Sequence, residues 1–205
     1  MSATRVFVGR GDELATLHTR ITEAAAGHGS FLALVGEPGI GKTRTVEEAL
    51  ARAALPEERI LWGRCPEHEG APAYWPWVQA IRGYVEDADP AFLRTALGPG
   101  AADLARLIPA VRHRLPEVVP SAVADHEQSR FQLFDGIATF LRRASEPAPL
   151  VLVLDDLHWA DEGSMMLLGF VAPEIRRSRL LVLATYREHE MRHMPQSLGA
   201  IARVA

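Results

Sequence analysis

Lysine occurs once in this 205-residue chain, cysteine once, and asparagine not at all. The single cysteine, Cys65, excludes an internal disulfide framework and suits a reducing compartment, so the expected location is the cytoplasm. No apolar run approaches the roughly 18 residues of a membrane span, so no membrane partner is expected. The opening residues, Met1 to Arg5, turn polar too early for a secretory leader. A surplus of positive charge is missing as well. With 22 basic and 26 acidic side chains the net charge is −4, which leaves no broad basic footprint for nucleic acid. The composition of disorder is also absent, since 48% of the residues are hydrophobic against 23% charged. A chain of this length can bury one good-sized core.

What is present is an alternation of helices and short apolar strands. Leu14, Leu17, Ile21 and Ala25 recur at spacings of three and four and predict a helix over Gly11 to Ala26. Phe31 to Val35 reads as a buried strand, followed by a helix from Lys42 to Ala54 that Pro56 closes. Further strands are expected at Arg59 to Gly63, Leu150 to Leu154 and Leu180 to Ala184. Asp161 can cap a helix reaching about Arg177. Such alternation specifies an α/β class with a largely parallel sheet. Between the second and third strands, over 64–149, no strand pattern occurs. Helices are expected there at Trp75 to Glu86, at Ala101 to Leu115, and at Glu127 to Ala144, the last with Phe131, Phe134, Ile137 and Leu141 in register. Prolines at 90, 99, 109, 116 and 120 break the middle, which predicts a helical insertion with loops rather than a second core.

The sole lysine falls inside Gly36-Glu37-Pro38-Gly39-Ile40-Gly41-Lys42-Thr43, a G-x-x-x-x-G-K-[ST] phosphate-binding loop placed between a predicted strand and a predicted helix. Glycines let backbone N–H groups converge on phosphates, and the helix that follows turns its positive end toward them. Lys42 would reach the outer phosphates of ATP, and the Thr43 hydroxyl would ligate Mg2+. Arg44, the next residue, is counted with the nucleotide-binding set. Leu150 to Leu154 runs into Asp155 and Asp156, two acids at the crevice end of a buried strand. One can hold the magnesium shell and the other orient or deprotonate water. The blander reading is a pair of helix-capping acids.

These motifs stand with others. Phe7-Val8-Gly9-Arg10 precedes Glu13-Leu14, Asp155-Asp156-Leu157-His158-Trp159-Ala160-Asp161 follows the loop, and Ala184-Thr185-Tyr186-Arg187 comes after that. Together they resemble the signalling P-loop ATPases of the STAND class, and more narrowly the AAA-type ATPase module of large ATP-binding LuxR-type transcriptional regulators. The resemblance covers nearly the whole chain. It implies that Val8, Gly9 and Arg10 lie near the adenine, that Asp155 serves Mg2+, that Asp156 stands where relatives carry a catalytic glutamate, and that Arg187 reads the γ-phosphate. An ordinary ion pair for Arg10 and a surface position for Arg187 are the alternatives. The implied fold is a three-layer α/β/α P-loop domain over 1–205 with strand order 5-1-4-3-2. The chain is expected to end before the fifth strand, and before the lid and effector domains of a larger regulator. Implied partners are ATP or ADP, those further domains, and further copies of the chain.

Two rival readings remain at this level. A module that holds nucleotide with negligible turnover needs the same loop. A zinc protease would use His189, Glu190 and His193, which fit H-E-x-x-H, but Pro195 would cut the helix short and the residues beyond His193 offer no third ligand. Trp159, Tyr74, Trp75 and Trp77 are read first as packing, with a partner surface as the sharper alternative for the last three.

Overall fold

A computed structural model describes residues 9–67, 70–120, 126–193 and 200–203. The chain opens with α1 (Gly11–Ala25), whose buried stripe is Leu14, Leu17, Ile21 and Ala24. Strand β1 (Ser30–Gly36) is buried from Phe31 onward and delivers the chain to the glycine-rich loop. Helix α2 (Lys42–Ala53) starts directly from that loop and ends at Ala54, which takes a left-handed φ of 51°. Strand β2 (Ile60–Arg64) follows a short 3-10 turn. Among the described residues five helices then intervene before the next strand: α3 (Trp75–Asp87), α4 (Pro90–Leu97), α5 (Ala101–Leu107), α6 (Ala110–Arg114) and α7 (His126–Ala144). Strand β3 (Leu150–Asp155), α8 (Glu162–Glu174), β4 (Leu180–Arg187) and β5 (Ala200–Arg203) complete the order.

The five strands of the described residues all pair in parallel, in the order β2-β3-β4-β1-β5. That is the order expected, with one correction. The chain does not stop short of a fifth strand: Ala200 to Arg203 pair with Leu32 to Val35. Ala-Ile-Ala-Arg is too short and too weakly apolar to announce itself as a strand, yet β1 would otherwise present a row of unpaired N–H and C=O groups on that side.

Alternation along the strands divides the interior in two. Leu150, Leu152 and Leu154 of β3 face a core shared with α3 to α8, while Val151 and Val153 face a smaller core built with α1 and α2. The helices between β2 and β3 therefore form a covering layer of the sheet. Three local expectations are amended. The helix foreseen from Ala101 to Leu115 is interrupted at Ile108–Pro109, where proline supplies no amide and disfavours helix in the residue before it. Helix α4 was not foreseen, although Asp89 caps it through Ala91 and Phe92 and Pro90 takes its first position. On α7, Phe134, Ile137 and Leu141 are buried as expected, but Phe131 is 61% exposed. No helix among the described residues is long and apolar enough to cross a membrane.

Candidate functional site

The C-terminal ends of β1, β3 and β4 meet at one edge of the sheet, where parallel α/β sheets hold their ligands. The loop after β1 is shaped by Gly39 and Gly41, with φ of 76° and 97°, where any side chain would be strained. Gly41 caps α2 with no side-chain hydrogen bond, and the first turn of α2 carries no acid. The positive helix end is thus left for an anion. Lys42 is 7% exposed and folds back over the loop, its Nζ donating to the carbonyls of Gly36 and Glu37 at 3.0 Å each. Burial lowers its pKa, while Asp156, Asp155 and Glu37 oppose that effect and Arg187 adds to it.

Asp155 is 1% exposed and saturated with donors. Its Oδ1 accepts from Thr43 Oγ1 at 2.8 Å and from Thr185 Oγ1 at 2.7 Å. Its Oδ2 accepts from Arg64 Nε at 3.1 Å and Nη2 at 2.9 Å. One carboxylate thereby ties β2, β3, β4 and α2 together. Asp156 follows in a left-handed conformation, φ 56°, and its amide donates to Thr185 Oγ1 at 2.8 Å. Aspartate is one of the few non-glycine residues that enter this region readily, by bonding its own local backbone.

Arg187 lies opposite Gly36 in the β1–β4 register, beside the loop, and its guanidinium carbon sits 5.2 Å from the Trp159 ring centre. Trp159 is more than packing: it is 36% exposed and stacks against that cation. His158 packs edge-on to Tyr186, with ring centres 5.8 Å apart. Both of its ring nitrogens are buried with no hydrogen-bond partner among the described residues. Burial, and then the Arg187 charge, lower its pKa. The Cys65 thiol, behind the acids, is pushed up to about 12 by burial and by Asp161, Asp156 and Asp155. It is an inert thiol.

Arg10 reaches the loop from the start of α1, its Nη2 donating to the Ile40 carbonyl at 2.5 Å and Nη1 lying 3.5 Å from Glu13. Gly9 precedes it with φ 84°. Val8 lies outside the described residues. Arg44 stands exposed on α2 beside Glu47, at 3.4 Å, and is not gathered into the cluster around Asp155. Trp77 is fully buried and donates from Nε1 to the Ser164 carbonyl at 3.2 Å, while Tyr74 and Trp75 are partly buried against the same core. The segment from Glu188 to His193 is a 3-10 helix, in which residues three apart eclipse and residues four apart do not share a face. His189 Nε2 lies 3.4 Å from its neighbour Glu190, an arrangement unlike a helical zinc site, and the His193 side chain lies outside the described residues.

Sequence reasoning missed Arg64 and Thr185. Arg64 ends a strand at the crevice side of a parallel sheet, which is a readable signal. Thr185 stood within a quoted motif without a role, and only the register of β4 against β3 brings its hydroxyl to Asp155.

A hydroxyl and a carboxylate side by side at 2.8 Å, with a buried lysine and a glycine loop, form a donor set suited to a triphosphate with Mg2+. Among known proteins, the chain is 28% identical over 194 residues to an uncharacterized protein of Rhizobium meliloti (strain 1021), covering 88% of this chain and 18% of that one. The chain thus spans about a fifth of the length of that curated relative. Three solved structures are similar over nearly the whole chain at low identity. One is a STAND protein with a tetratricopeptide repeat sensor from Pyrococcus horikoshii (TM-score 0.46, 14% identical, covering 99% of this chain and 23% of that one). Another is PCH-2 of C. elegans (0.46, 11% identical, 95% and 42%). The third is Drosophila ORC bound to AT-rich DNA and Cdc6 (0.43, 10% identical, 96% and 61%). A family profile described as AAA ATPase domain matches residues 6–183, so a match that runs from before α1 into β4 and takes in the loop, the paired acids and the two strands that lead into them shows that the chain belongs to the AAA ATPase domain family.

Proposed function

We propose that the chain binds ATP with Mg2+ at the loop after β1 and hydrolyses it slowly, as the nucleotide switch of a STAND-type signalling regulator related to the LuxR-type transcription factors. The observation that carries this reading is the Thr43–Asp155 pair, 2.8 Å apart and directly behind a glycine loop whose lysine is buried. In it Lys42, the loop amides around Gly39, Ile40 and Gly41, and the start of α2 hold the phosphates. Gly9 and Arg10 border the base, and Arg44 is left to the solvent side. Thr43 and Asp155 would hold the metal, which supplies charge neutralisation on the phosphate oxygens. Arg64 and Thr185 fix the Asp155 carboxylate in one orientation. Asp156 takes the proton of the attacking water or orients it, and Arg187 meets negative charge beside the loop.

Support for a switch inside a larger protein comes from the motif resemblance and from the small share of the Rhizobium relative that this chain covers. The test is a calorimetric titration of ATP and ADP with and without Mg2+, followed by a phosphate-release assay. Mg2+-dependent binding with slow release is expected. Tight binding with no release would reassign the chain to a nucleotide-holding module, and no Mg2+-dependent binding would remove the reading altogether.

A further inference from the structure

A groove of about 350 Å3 runs along the β2 edge of the sheet and shares no lining residue with the nucleotide site. Leu61, Ala80, Tyr84 and Phe92 give it an apolar floor, and Trp62 stands exposed at its side. Its rim is acidic, with Glu57, Glu58, Asp87 and Asp89 exposed. The one cation in the lining, Arg59, is turned inward, donating to the carbonyls of Ala144 at 2.9 Å and Pro149 at 3.0 Å and also to that of Ala148. The Arg114 guanidinium also reaches the lining, donating to the Ala88 carbonyl at 2.6 Å, so two inward-bound cations stand against four rim carboxylates and the rim keeps a negative surplus.

The open side of the groove is also a strand edge. Cys65 N donates to the Asp155 carbonyl at 2.9 Å, so in this parallel ladder Leu61 and Gly63 share the side that faces β3. Ile60, Trp62 and Arg64 direct their backbone groups outward. The Ile60 amide is taken by the Glu57 carbonyl, and the Arg64 amide by Gln79 Oε1 at 2.8 Å. Between them the Trp62 N–H and C=O face a side on which no strand of the described residues pairs. Gly83 adds a second observation. It sits inside α3, where glycine costs about 1 kcal/mol relative to alanine, and a Cβ built on it would meet nothing within 4 Å. The missing side chain deepens the groove.

We propose that this groove captures an extended segment of another polypeptide as a sixth strand along β2. The segment pairs its backbone with Trp62, lays an aliphatic side chain on the Tyr84–Phe92 floor, and sets a lysine or arginine against the rim. Main-chain bonds give such added strands their affinity, and the side-chain pockets give them selectivity. Four carboxylates on the rim select a basic segment and repel nucleic acid.

The probe is a fluorescein-labelled, end-blocked peptide Lys-Val-Leu-Val-Lys, titrated by anisotropy against the full chain at low salt. Binding below about millimolar is expected. It should weaken by roughly tenfold or more when glutamates replace the lysines, and equally when the central amides are N-methylated. Gly83→Leu fills the groove with a better helix former, so it should melt no lower than the parent while binding the peptide at least about tenfold more weakly. Asp87→Lys, at an exposed rim position, should weaken the lysine peptide and spare the glutamate one. The proposal is overturned if the lysine peptide fails to bind, or if folded Gly83→Leu binds it as the parent does. Equal binding of the N-methylated peptide would overturn it too, since the groove would then take a small apolar cation.

Discussion

Lys42 and Asp155 are both nearly buried, at 7% and 1% exposure, and each is held by groups that a substitution would strand. Lys42→Ala removes a cation from the proposed phosphate site and leaves the Gly36 and Glu37 carbonyls without their donor. Mg-ATP affinity should fall by about 3 kcal/mol, roughly a hundredfold, with a smaller loss of thermal stability. Calorimetry and a melting curve together check this, and unchanged affinity would remove the phosphate role. The two acids should separate. Asp155→Asn puts an amide where Thr43, Thr185 and Arg64 all donate, so it should cost about 2–3 kcal/mol of stability as well as Mg2+-dependent binding. Asp156→Asn suits the left-handed backbone, since asparagine tolerates it. It should keep the fold and ATP binding while slowing phosphate release about a hundredfold. Parent-like turnover in both variants would make the assignment wrong. His158 gives a pH signature. Its folded pKa is lowered by burial and by Arg187, whereas the unfolded chain takes the proton near about 6.5. Between those values the unfolded state binds more protons, so this contribution to stability is present at neutral pH and is lost as pH falls through the window. His158→Phe should lose less melting temperature than the parent between about pH 7.5 and about pH 5.5.

At the scale of elements, the close approach of α3 to β2 sets both the groove and the position of Arg64. A Cβ on Gly63 would lie 1.9 Å from the Pro76 carbonyl oxygen, a backbone atom that cannot swing aside. Gly63→Ala should therefore cost about 1–3 kcal/mol by overpacking, visible as a lower denaturation midpoint. A midpoint equal to the parent's would show that α3 can shift freely. Elements were legible where a single physical signal dominated. The loop was readable because glycines, lysine and threonine at fixed spacing have one use, and β3 because its apolar run ends in two acids. Pro109 signals the split between α5 and α6, against an apolar spacing that runs on through it. Strand β5 gave almost no local signal, for its reason to exist is the open side of β1 rather than its own four residues. Thr185 was invisible for a related reason, since its meeting with Asp155 is a matter of register between strands, whereas Arg64 was signalled by its place at the crevice end of β2.

Over the whole molecule, charge argues against a nucleic-acid role for this chain on its own. The net charge is −4, and several arginines are committed to local partners, as Arg59 is to three carbonyls and Arg94 to Glu117. No sequence-specific DNA binding is expected at physiological salt, and fluorescence anisotropy with a duplex library would detect it. Specific affinity tighter than about micromolar would reveal a reading surface that these residues do not suggest. The division of the interior carries a different implication. The two cores have no residue in common, and the sheet between them is filled by its own backbone bonds. A change of side-chain volume on one face reaches the other only by displacing a strand, so substitutions on opposite faces should combine almost independently. Mutational drift can then remodel the α3 to α7 layer, with its β2 groove, while the layer of α1 and α2 behind the phosphate loop keeps its shape. The helices facing the β2 groove are free to acquire new associates while the packing behind the phosphate loop is kept.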